Sequence, residues 1–89
     1  MDRLIFRIAS AKFFNTTQAG FVARAQLVCL NPDDFSHAEP FPDDFTFPLY
    51  EDSAHTVLQA GKNGIVSATV FAEEGSEPKY WRFEDVETV

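Results

Sequence analysis

Five residues of this chain have side chains and spacing suited to holding a polyanion with exposed bases: Arg3, Arg7, Arg24, Tyr80 and Arg82. Arg3 and Arg7 lie four apart and Tyr80 and Arg82 two apart, so on extended strands each pair shares one face. Guanidinium groups pair with phosphate, and bases stack on aromatic rings for about 1–3 kcal/mol each. The set therefore predicts binding of a single nucleic-acid strand, DNA first. The same residues also suit an ordinary solvated sheet face, and the sequence leaves that alternative open.

A second set has the opposite chemistry. Asp33, Asp34, Glu39, Asp43 and Asp44 crowd a proline-rich stretch that Glu51 and Asp52 continue. Carboxylates on a long loop present phosphate-like charge to a protein that binds nucleic acid. On that alternative the chain is an acidic mimic or inhibitor whose partner is a host nuclease or a CRISPR complex. The plainer alternative is a solvating loop. Paired aspartates also suit hard cations, but their spacing does not match a calcium loop, so no metal and no other cofactor is expected.

No comparable set exists for catalysis. His37 and His55 are the only histidines, and neither adjoins a candidate nucleophile or a metal-ligand spacing. Cys29 lies on an apolar strand pattern and reads as core. The four glycines, at 20, 61, 64 and 75, are scattered turn residues rather than a phosphate-binding loop. The chain reads as non-enzymatic.

The elements that must position these residues are short strands. In residues 3–14, Leu4, Phe6 and Ile8 alternate with Arg3, Ile5 and Arg7, the period of a half-buried strand. A polar stretch ending at Gly20 turns the chain. Phe21, Ala23, Ala25, Leu27 and Cys29 then form one face of a second strand, with Val22, Arg24, Gln26, Val28 and Leu30 on the other. Pro32, Pro40 and Pro42 exclude regular structure over most of residues 31–44. Phe45, Phe47 and Leu49 mark a third strand, in which Pro48 implies an edge or a bulge.

Asp52 and Ser53 offer a helix start and Gly61 a stop, so residues 54–60 are expected to form one or two helical turns. Residues 65–86 read as a closing hairpin, with Gly75 to Pro78 as its connection and 84–89 as an acidic tail. In its second arm Tyr80 and Arg82 face one side, and Trp81 and Phe83 the other. Trp81 and Phe83 are expected in a core with Phe6, Leu27, Phe47 and Val70.

Eighty-nine residues fill one domain, 1–89, and ten Phe, two Tyr and one Trp give it an aromatic core. The expected fold is mainly β, a small five-stranded antiparallel OB-like barrel with one short helical turn. An SH3-like barrel and an α+β roll are the alternatives. The lone cysteine precludes an intrachain disulfide, and no apolar run spans a bilayer, which together predict a cytoplasmic protein without a membrane partner.

The net charge of −7 argues against indiscriminate polyanion binding, but it is unevenly spread. Residues 1–31 carry +3, residues 32–52 carry −7 and residues 53–89 carry −3. Arg3, Arg7, Arg24 and Arg82 fall within strands, whereas the acids gather in loops and the tail.

The run Thr46-Phe47-Pro48-Leu49-Tyr50, followed by Leu58-Gln59-Ala60-Gly61, a strand, a turn and a final aromatic strand, resembles the second half of the single-stranded-DNA-binding proteins of filamentous phages. The first half matches them in strand order and in its Thr16-Thr17 turn. The resemblance implies an OB-like barrel that coats single strands as a cooperative homodimer, and a phage-encoded protein acting in the host cytoplasm. The acidic insert and the low pI depart from that family's pattern.

Overall fold

A computed structural model of the chain describes residues 2–38, 46–71 and 81–89. Strands β1 (Asp2–Thr16), β2 (Gly20–Leu30) and β3 (Thr46–Tyr50) precede helix α1 (Glu51–Ala60), and β4 (Ile65–Phe71) and β5 (Arg82–Thr88) follow it. All five strands join one antiparallel sheet in the order β3-β2-β1-β4-β5. The chain is thus mainly β with one short helix, as its alternation dictates. The sheet curls but does not close, since no ladder joins β3 to β5, so "barrel" fits it only loosely.

The curl follows from where the large rings sit. Phe83 on β5 meets Phe6 on the central strand edge-on, with ring centroids 5.2 Å apart, and meets Phe47 on the opposite edge strand at 4.6 Å. Edge-to-face pairs add about 0.5–1.5 kcal/mol each to the burial term, so one ring draws both sheet edges toward the middle. Ile8, Leu27, Leu49, Val66 and Ala68 complete the inner layer, and α1 covers it with Ala54 and Val57. Leu27, Phe47, Val70 and Phe83 are buried as expected. Trp81 is only half-buried, packed against the core from its margin, because it precedes β5 at the open end of the sheet.

Three details depart from the simple alternation. The first is in β1. Ile8 pairs with Leu27 but Ser10 pairs with Gln26, so Ala9 is an extra, bulged residue. Before it Leu4, Phe6 and Ile8 point inward; after it Ala11 and Phe13 do so, and Lys12 and Phe14 turn outward. A regular strand would have driven the Lys12 ammonium into an apolar layer, a burial that costs far more than a bulge.

The second departure is α1, which begins at Glu51 rather than within the Asp52-Ser53 start signal. Asp52 lies in the first turn, where a carboxylate complements the helix dipole. The Ser53 hydroxyl accepts the Val86 N–H at 3.5 Å instead of capping the helix. Gly61, with φ at 75°, ends the helix as expected, its N–H donating to the Val57 carbonyl at 3.0 Å. The third departure is the acidic tail, which is strand through Thr88: a bulge at Asp85, where φ is 52°, lets Glu87 and Thr88 rejoin β4.

Pro48 lies on β3, which pairs only with β2 and is an edge, as its missing donor requires. The hairpin connection at 75–78, the Phe45 start of the third strand and most of the proline-rich insert lie outside the described residues. Among those described, no helix is long and apolar enough to cross a membrane.

Candidate functional site

The outer face of the sheet carries the cationic residues, and register fixes which of them meet. Arg3 lies on β1 beside β4, where its guanidinium donates to Thr69 Oγ1 and Ser67 Oγ at 3.0 Å each. It donates further to the Asp85 carbonyl at 2.7 Å and to Glu87 Oε2 at 3.0 Å. Arg3 thus ties β1, β4 and the β5 bulge together, and its charge is answered by Glu87. Arg7 donates to Asn63 Oδ1 at 3.4 Å, in the turn after α1. Arg82 lays its guanidinium over the Phe71 ring, 5.3 Å from the centroid. Tyr80 lies outside the described residues.

Arg24 stands apart from these three. It pairs across the ladder with Lys12, nine residues along β1 from Arg3 and so about 30 Å of strand away. The five predicted residues therefore do not form one site. Arg3, Arg7 and Arg82 share the β4–β5 half of the face with Ser67, Glu84 and Glu87, and Arg24 occupies the β2–β3 half.

Around Arg24 the structure assembles residues that alternation alone places on the wrong side. The Ala9 bulge brings Ser10, Lys12 and Phe14 onto the outer face beside Arg24 and Thr46, and these five line a depression of about 330 Å3. The Phe14 ring is 46% exposed, much more than the core rings. Lys12 and Arg24 sit directly opposite each other, and among the described residues no carboxylate pairs with either. Like charges so placed destabilise a ladder, by up to about 1 kcal/mol. Such a depression can seat one phosphate between two cations and a flat ring on Phe14. The signal for it was present in the sequence: Lys12 falls on the inward phase of Leu4, Phe6 and Ile8, which is physically untenable without a shift of register.

The acidic set is partly built into a turn. The Asn31 N–H donates to the Ser36 carbonyl and the Phe35 N–H to the Asn31 carbonyl, each at 2.8 Å, which closes residues 31–36, and Asp34 Oδ1 accepts from the Ser36 N–H at 3.0 Å and its hydroxyl at 2.8 Å. Those two bonds hold the Asp34 carboxyl below its usual pKa. Asp34 thus shapes the turn, Asp33 is exposed beside it, and Glu39, Asp43 and Asp44 lie outside the described residues. Cys29 is buried on the inner face, and burial pushes its thiol pKa up. His55 stacks on Phe21 at 4.4 Å, which extends an aromatic row from Phe13. His37 forms a bridge with Leu30.

Compared with known proteins, the chain matches no protein-family model, no curated protein and no solved structure.

Proposed function

We propose that this protein binds single-stranded nucleic acid, DNA in the first instance, on the outer face of its sheet. Lys12 and Arg24 hold a phosphate, Phe14 stacks a base, and Arg7 and Arg82 extend the path along the sheet. The observation that carries this reading is the opposed Lys12–Arg24 pair: two cations held face to face, with no carboxylate on either among the described residues, beside an exposed ring, in a chain of net charge −7. A bound anion relieves the repulsion that folding alone leaves in place. Arg3, tied to Glu87, serves the sheet rather than the ligand.

Titration with fluorescently labelled oligo-dT tests this. Saturable binding at about 50 mM salt that weakens as salt rises is expected, with a slope set by the phosphates engaged. Phe14→Ala should weaken it by about 1–3 kcal/mol, the loss of one stacked base. Absence of binding at low salt would overturn the proposal and leave the acidic alternative, carried by Asp33, Asp34, Glu39, Asp43 and Asp44, as the reading to pursue. A homodimer and a phage origin are further parts of this proposal; sedimentation reads the first directly.

A further inference from the structure

The open seam of the sheet contains a second cleft with chemistry opposite to the first. We infer that the cleft between β3, the start of α1 and β5 docks a basic segment of a partner protein through an arginine or lysine side chain. The inference is separate from the strand-binding reading, because the cleft shares only Arg82 with that path and none of the Lys12, Phe14 and Arg24 depression.

The cleft encloses about 540 Å3, within the roughly 300–1,000 Å3 of sites that enclose organic ligands. Its walls are aromatic. Tyr50 is 53% exposed and Trp81 half-buried there, whereas Phe83, which also lines it, is almost wholly in the core. Rings presented this way attract a guanidinium or ammonium over their faces. Four acidic residues line it from two separate elements, Glu51 and Asp52 from α1 and Glu84 and Asp85 from β5, with the Glu51 carboxylate lying toward Gly20. Among the described residues none of the four makes a salt bridge. The one base on the wall, Arg82, is spent on the Phe71 ring.

Complementarity of charge and of ring faces therefore selects an organic cation. No group of three or more His, Cys, Asp or Glu among the described residues could hold a metal ion, which sets the cleft apart from an inorganic cation site. A polypeptide fits better than a free amine because the sheet ends here on both sides. Among the described residues β3 and β5 each pair on one edge only. Pro48 removes a donor from β3, so β5 offers main-chain groups to an extended segment whose long basic side chain enters the cleft.

Trp81 is the only tryptophan, so its emission reports on this cleft without labelling. Titration of the full chain with a capped hexa-arginine peptide should change that emission saturably, and a capped hexaglutamate peptide should not. Replacing two cleft acids together, Asp52→Asn with Glu84→Gln, should weaken peptide binding at least about tenfold, while Lys12→Ala leaves it unchanged. Equal affinity in the double variant, or an emission that never responds, overturns the inference. Amide shift changes of the unmodified protein supply a second readout that does not depend on the variant's folding. A map centred on Tyr50, Ser53 and residues 81–85 supports the cleft, and one centred on Asp33 and Asp34 refutes it.

Discussion

Arg24→Glu should make this protein more stable and less able to bind, and the opposition of the two effects is what makes the substitution informative. In the folded sheet Arg24 faces Lys12 directly across the β1–β2 ladder. Reversing its charge turns a repelling pair into an attracting one. Cross-strand pairs are worth about 0.2–1 kcal/mol, so removing the repulsion and adding the attraction gives roughly 0.4–2 kcal/mol in the best case. Exposure and the added negative charge reduce this, and about 0.5–1 kcal/mol is the gain to look for. For a domain of this size that corresponds to a rise of about 2–8 °C in Tm.

Binding should move the other way. Loss of a phosphate contact lowers the salt slope for a single strand by about 0.7, and the new carboxylate repels the same phosphate. Thermal unfolding followed by circular dichroism and oligo-dT titration over a salt series read the two effects on one preparation. Arg24→Gln, which removes the repulsion without adding attraction, should fall between the parent and Arg24→Glu in stability. A lower Tm for Arg24→Glu would show that the Arg24 side chain packs rather than repels. An unchanged salt slope would remove Arg24 from the ligand path.

Other substitutions test the frame around the site. Phe83→Ala removes the ring that joins Phe6 to Phe47 and should cost about 3–5 kcal/mol, enough to unfold much of the population in a urea titration. Trp81→Ala should cost distinctly less, since Trp81 is only half-buried. Gly20→Ala should destabilise by more than about 1 kcal/mol, because Gly20 has a φ of 71° and a methyl group there would meet the Glu51 carboxylate. The Asp34 carboxyl titrates below its usual value, so its contribution to the 31–36 turn is present above the unfolded pKa and is lost as pH falls through the folded one. NMR titration should show the Ser36 amide shifting in that acid range, and Asp34→Asn should abolish the transition; a shift centred at the ordinary aspartate value would refute the two hydrogen bonds.

The sequence made most of the fold legible where period 2 ran undisturbed. Val66, Ala68 and Val70 alternate with Ser67 and Thr69, and they point where that alternation says. It failed where one residue changed the phase. Ala9 has no side-chain feature that marks a bulge, and only the impossibility of burying Lys12 betrays it. The site suffered more than the fold for this reason. Arg24 was legible as an outward residue, but its partners Lys12 and Phe14 lie beyond the bulge, and the pairing of strands distant in sequence decides that Arg3 meets Glu87. The helix start was misplaced because Ser53, a good cap by composition, is claimed by the Val86 amide from β5.

The bulge at Ala9 also lets a single strand change phase without changing which side chains build each face. On its β4 side, the inner phase of β1 consists of even-numbered residues; on its β2 side, of odd-numbered ones. Deleting Ala9 would restore plain alternation with Ser10, Lys12 and Phe14 still outward, whereas ironing out the bulge with Ala9 retained would exchange the inner and outer sets from Ser10 onward while leaving Leu4, Phe6 and Ile8 in place. The groove chemistry thus depends on the bulge absorbing this one residue, and not on any residue that builds the aromatic core.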